Sequence, residues 1–167
     1  MKENKVCERS VARLYAVLAV FQYSHSEVTP GEIVNDFLSS KHKKNPKIDG
    51  VSIDNMHIRF FKELFEKTIK HLDDITPHIQ AHLAEDWAVN TIDPVALCIL
   101  QLGVCEILYF TSNPSKIILK EYGDVAGSFF NKENVSFING ILNVIAREIR
   151  PNDIFTDRSV VNERDHT

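Results

Sequence analysis

Between Asp93 and Phe110 the chain is apolar on nearly every side, with Leu97, Ile99, Leu100, Leu102, Val104, Ile107 and Leu108 distributed all round a helical wheel. A helix of that kind must be surrounded by protein, so the other elements have to pack around it. Asp93 before Pro94 marks its start, a capping side chain followed by a residue suited to the first helical position.

The remaining segments have the periodicity needed to form that jacket. From Lys5 to Tyr23 the residues Val11, Leu14, Tyr15, Leu18 and Phe21 recur at helical spacing. Thr29-Pro30-Gly31-Glu32 reads as a capping box ahead of Ile33, Val34, Phe37 and Leu38. Ser39 to Ser52 is expected to be a solvated loop carrying Lys41, Lys43, Lys44 and Lys47, with Pro46 and Gly50 and no apolar period. Ile53, Met56, Phe60, Phe61, Leu64, Phe65, Ile69 and Leu72 then repeat at three and four, the pattern of a long amphipathic helix with an aromatic core face.

Ile75, Ile79 and Leu83 mark a shorter helix ending near Trp87, with Pro77 expected in its first turn. Beyond the central segment, Asn113-Pro114 opens another helix through Ile117, Ile118, Leu119, Val125 and Phe129. A last one starts near Lys132 or Asn134 and ends at Arg150, before Pro151. No strand alternation stands out, so the expected architecture is an all-α bundle of about seven helices. At 167 residues and 44% hydrophobic, one well-buried core is the natural outcome. We therefore expect a single domain over residues 1–151 and a polar, disordered tail over 152–167.

Catalytic signatures are not found. There is no nucleophile elbow, no phosphate-binding glycine loop, and only six glycines. His71, His78 and His82 would share a face on an unbroken helix, but Pro77 disturbs the register and no cysteine or carboxylate completes a tetrahedral metal set. Glu63, Glu66, Asp73 and Asp74 read as a solvated face. Cys98 and Cys105 lie seven residues apart on one helix, about 10 Å, too far to bridge, and read as reduced core thiols. No apolar run reaches the roughly 20 residues of a membrane span, so no membrane role and a cytoplasmic location are expected, with no cofactor.

Two features point to binding. Lys2, Lys5, Arg9 and Arg13 superpose on one stripe of the first helix, continued by Ala16 and Val20, and are expected to line an exposed basic edge with Tyr15 and Phe21 flanking it. Cations on phosphates and bases on rings are how single-stranded RNA is commonly held, although the net charge of −4 argues against non-specific coating. The second feature is Phe137-Ile138-Asn139-Gly140-Ile141-Leu142, where Asn139 and Gly140 interrupt an apolar helix at a cost of roughly 1 kcal/mol for the glycine. An amide bridging a helix junction, or a close backbone approach at Gly140, would offset it.

That hexapeptide resembles the closing F-V-N-G-V-L signature of the NusB transcription antitermination family. Arg9-x-x-Ala12-Arg13-x-x-Ala16-Val17-x-Ala19-Val20-Phe21 resembles the family's arginine-rich first helix, and Asp93-Pro94, Ile99-Leu100-Gln101 and Glu106-Ile107 resemble its central helix. The resemblance spans residues 8–150 and implies an all-helical fold in two subdomains without catalytic activity. It also implies binding of the boxA segment of ribosomal RNA leader transcripts together with ribosomal protein NusE, within the transcription elongation complex. Carried over by position, RNA would be touched by Arg9, Arg13 and Phe21, and by Phe129 and Glu133, with Lys2 and Lys5 adding charge. Glu106 is the candidate for contact with NusE, and Phe137, Asn139 and Gly140 form the structural signature.

Some positions depart from the family pattern. Arg9-Ser10-Val11 stands where three arginines are usual, Gln101 where an arginine is frequent, Leu119-Lys120-Glu121 for I-N-E, and Phe129-Phe130 for F-G. The lysines at 41–47 are one source of compensating charge. Family members include monomers and homodimers, and periodicity does not choose between them. Two rivals stand beside this reading: the accessory domain of ribosomal RNA cytosine methyltransferases, which would require a nucleotide-binding glycine motif and a catalytic domain, and a protein–protein adaptor whose cations merely solvate.

Overall fold

A computed structural model describes residues 7–40 and 47–153 of the chain. Seven α-helices carry the described residues: α1 Glu8–His25, α2 Pro30–Ser40, α3 Ile58–Lys70, α4 Leu72–Gln80, α5 Pro94–Tyr109, α6 Ser115–Gly127 and α7 Lys132–Ile149. Helix α5 is the hub, packing on α1, α3, α4, α6 and α7, and every residue from Cys98 to Ile107 is buried. Helices α1–α3 form one group and α4–α7 the other, over a shared apolar core.

The caps follow the sequence closely. Thr29 and Glu32 exchange the two bonds of a capping box, and Asp93 Oδ1 accepts from the Val95 and Ala96 amides at 2.9 and 3.2 Å. Asn131 caps α7, one residue ahead of the expected start, by accepting from the Asn134 amide.

Four expectations need correction. The 39–52 segment is not wholly irregular: β1 Lys47–Ile48 pairs antiparallel with β2 Val51–Ser52, joined by Asp49 and Gly50, whose positive φ of 49° and 78° suits a tight hairpin. Lys41, Lys43, Lys44 and Pro46 lie outside the described residues. Pro77 sits in the sixth position of α4 rather than its first turn, because α4 already begins directly after α3 at a break centred on His71.

The polar tail does not begin at 152. Asp153 Oδ2 accepts from Ser115 N and Oγ, capping α6, which has no side-chain cap of its own. Arg150 turns back on the carboxyl end of α5 and donates to the carbonyls of Glu106, Ile107, Phe110 and Asn113 at 2.5–3.2 Å. The Ile107 carbonyl is in the last turn, where a helix end leaves such groups unpaired, while the Glu106 and Phe110 carbonyls also accept the backbone amides of Phe110 and Asn113. Residues 154–167 lie outside the described residues.

The close-approach glycines are not the one expected. Around Gly140 there is open space, whereas a Cβ on Gly103 would fall 2.8 Å from Leu142 Cδ2, and one on Gly123 would fall 3.1 Å from Asn139 Oδ1. The hexapeptide therefore packs through Asn139 and Leu142, against small residues on α6 and α5.

Candidate nucleic-acid interface

The amino-terminal cations do not form an open edge. Lys2 and Lys5 lie outside the described residues. Arg9 is exposed, with its guanidinium 5.2 Å from the Phe60 ring centroid on α3. Arg13 is only 3% exposed and is locked in an internal ion pair.

The physical reason is the face on which the stripe lies. Ala16 and Val20 continue it, both are fully buried, and the face they mark packs inward. Arg13 donates to the Glu106 carboxylate from Nε at 2.9 Å and from Nη2 at 2.6 Å. Tyr122 Oη and Asn113 Nδ2 donate to the same group at 2.5 and 3.0 Å, and Glu121 lies 3.6 Å from Arg13. Burial works against the charge of Arg13, yet hydrogen bonding and attraction to Glu106 hold its pKa above the ordinary value. Tyr122 is pushed well up, first by burial and then by the Glu106 charge.

Glu106 is 0% exposed, which removes it as a surface contact for a partner. Together with Arg13 it joins α1, α5 and α6 in one hydrogen-bonded cluster.

A different strip is open to solvent. Phe21, half-buried at the end of α1, stacks on exposed His25 at 4.1 Å. Trp87, 50% exposed on the loop after α4, tilts against half-buried Phe137 of α7 at 6.1 Å. Ile92 lines both of the clefts beside these ring pairs. His25, Trp87 and Phe137 thus border adjacent hollows at the meeting of α1, the 89–92 turn, α5 and α7, and Phe21 is stacked on His25.

Glu133 is exposed in the first turn of α7, next to Asn134, which lines the Trp87 cleft. Phe129 is half-buried against the core just past α6, and no ring contact links it to the strip. Of these rings, the sequence offers Phe21 as an RNA candidate and Phe137 only as part of the structural signature. Trp87, His25 and Gln101 were missed as functional candidates, although a lone tryptophan outside any periodic segment and a polar residue inside the all-apolar helix were available signals.

The histidines do not converge. His71 stacks on Tyr109 at 4.2 Å, while His82 Nε2 lies 2.9 Å from Glu148. Among the described residues no helix is long and apolar enough to cross a membrane.

The sequence model of the NusB family matches residues 10–147. The chain belongs to the NusB family. Transcription antitermination protein NusB of Rickettsia bellii is 31% identical over 149 residues, covering 89% of this chain and 96% of its own. The NusB protein of Caulobacter vibrioides is also 31% identical, over 150 residues, covering 90% and 99%. Among solved structures, T. maritima NusB matches with a TM-score of 0.69 at 23% identity, covering 84% of this chain and 91% of that one. A chain of the crystal structure of antitermination factors NusB and NusE in complex with dsRNA matches with a TM-score of 0.69 at 23% identity, covering 84% and 97%. At that identity the structures establish the NusB fold and nothing finer.

Proposed function

We propose that this chain is a non-catalytic transcription antitermination factor that binds boxA RNA of ribosomal RNA leader transcripts jointly with ribosomal protein NusE, in the elongation complex. The observation that carries this reading is the strip of Phe21, His25, Trp87 and Phe137, whose partly exposed rings suit unpaired bases. Family membership and the named relatives support it. Arg9 supplies the phosphate contact within the described residues, Lys2 and Lys5 extend it, and Glu133 and Phe129 flank the far side. Arg13 keeps the scaffold together and does not touch RNA. NusE contributes part of the RNA surface, so affinity of the chain alone is modest.

The test is a fluorescence titration of the full chain with boxA RNA, with and without NusE, at several salt concentrations. Affinity falls as salt rises, improves on adding NusE, and drops on Trp87→Ala and Arg9→Glu. A titration with no salt slope, or no gain from NusE, refutes the reading.

One observation favours the adaptor instead. Asp86, Asp93 and Glu133 are exposed close to the Trp87 cleft in sequence or structure, a charge that repels phosphate and suits a basic protein. In that case NusE binds, Trp87→Ala weakens it, and RNA adds nothing.

A further inference from the structure

One face of α3 brings cations and aromatic rings together at the carboxyl end of α5. Phe60 and Lys67 share a stripe of α3, and His71, the residue that ends the helix, continues it. Each meets a side chain from another helix. Phe60 packs edge-on against Phe110 at 5.7 Å and seats the Arg9 guanidinium 5.2 Å from its centroid. Lys67 Nζ lies 5.1 Å from the Phe110 centroid, and one turn further on His71 stacks on Tyr109 at 4.2 Å. Phe60 is buried, Arg9 and Lys67 are exposed, and Phe110, Tyr109 and His71 are half-buried. Cation, rings, cation and rings therefore follow one another from α1 to the break between α3 and α4.

From this arrangement we infer that a single-stranded RNA segment lies along the α3–α5 face, with phosphates on Arg9 and Lys67 and a base against Tyr109 and His71. This rests on the RNA-binding reading above and extends it from Arg9 onto a second surface. A cation seated on a ring has already given up part of its side-chain freedom and still has N–H donors to spare, so meeting a phosphate orders less. Two acids beside the stripe are already engaged. Glu63 pairs with Arg59, and Asp74 accepts the Tyr109 hydroxyl at 3.3 Å, which steadies the ring pair. An acidic peptide would use the cations and leave the rings idle, whereas an unpaired nucleotide strand uses both.

The experiment titrates the full chain with boxA RNA, with and without NusE, at several salt concentrations. Lys67→Met lowers the salt slope by about 0.7, the share of one phosphate on a single strand. Lys62→Met, an exposed cation about 140° round the same helix, keeps the wild-type slope. Tyr109→Leu weakens binding about tenfold at unchanged slope, a loss in the range of one stacked base. A second measurement needs no variant: RNA carrying 4-thiouridine at successive positions cross-links on irradiation to Tyr109 or His71 of wild type, read by mass spectrometry. Melting of each variant at the wild-type temperature excludes a folding defect as the cause.

A wild-type slope for Lys67→Met, wild-type affinity for Tyr109→Leu, or cross-links that all fall elsewhere overturns the inference while RNA binding itself stands. An equal loss of slope in Lys62→Met overturns it too, because the effect then follows net charge and not a site. Variants that lose NusE and keep full affinity for RNA alone assign the face to a protein partner, which also overturns it. Absence of RNA binding by wild type overturns both this inference and the function it rests on.

Discussion

Replacing Arg13 by Met separates a buried strut from an RNA contact. The Glu106 carboxylate is sealed from solvent and accepts from Arg13, Tyr122 and Asn113. Deleting the guanidinium leaves an anion held only by neutral donors, and breaking a buried pair by removing one partner costs about 3–5 kcal/mol. For a domain of this size each kcal/mol moves Tm by about 2–4 °C, so Arg13→Met should melt about 6–20 °C below wild type. Urea unfolding followed by circular dichroism reads the same loss as a lower midpoint at unchanged slope.

The companion variant tests the cause. Arg13→Met with Glu106→Met and Tyr122→Phe removes the charges together with the donor they would strand, and Asn113 is near enough to solvent to find water. That triple variant should regain most of the loss and come within about 1 kcal/mol of wild type. Under conditions where Arg13→Met is folded, its salt slope for boxA RNA should equal that of wild type, since each phosphate contact on a single strand contributes about 0.7 to the slope. An Arg13→Met protein that melts with wild type but loses about 0.7 in slope would falsify the argument from burial.

Arg150→Ala removes four hydrogen bonds at the end of α5 and should destabilise the fold by about 3 kcal/mol in the same urea assay, with the α5–α6 junction losing hydrogen-exchange protection first. Of three cysteines, Cys7 is exposed, and the backbone amides of Ser10 and Arg9 lower its pKa, whereas Cys98 and Cys105 are buried. A thiol reagent at neutral pH should therefore titrate one group in the native chain and three in denaturant. Burial pushes both Cys98 and Cys105 up to about 12 from an ordinary 9.0. The unfolded chain releases those protons first, so the stability they contribute is complete below pH 9 and lost as pH rises toward 12, which alkaline unfolding of Cys98→Ala/Cys105→Ala beside wild type would measure.

The parts of the fold that were legible rest on local physics. Asp93-Pro94 and Thr29-x-x-Glu32 cap their helices as their side-chain chemistry requires, and the all-round apolar run after Asp93 became the hub. The Pro77 expectation failed because a helix start is also set by the preceding backbone, which turns at His71. Gly140 was read as a close-approach position because it breaks an apolar pattern. The approaches occur instead at Gly103 and Gly123, on the helices facing it, and a single segment's sequence does not reveal its neighbours.

The error at Arg13 has a sharper cause. A helical wheel reports which residues share a face and is silent about which way that face points; charge supplies the missing sign only when water is the sole place a charge can go. Here Glu106 lies 93 residues away, inside the apolar run, and gives Arg13 a partner that no local pattern reveals. The clue was Glu106 itself, because a carboxylate on a helix that must be wholly buried has to meet a cation or strong donors. Gln101 is the second polar residue on that same buried stretch, and it met no partner in the described fold. One of these exceptions is answered within the chain and joins three helices. The other keeps its amide oxygen closed off from solvent without a partner among the described residues.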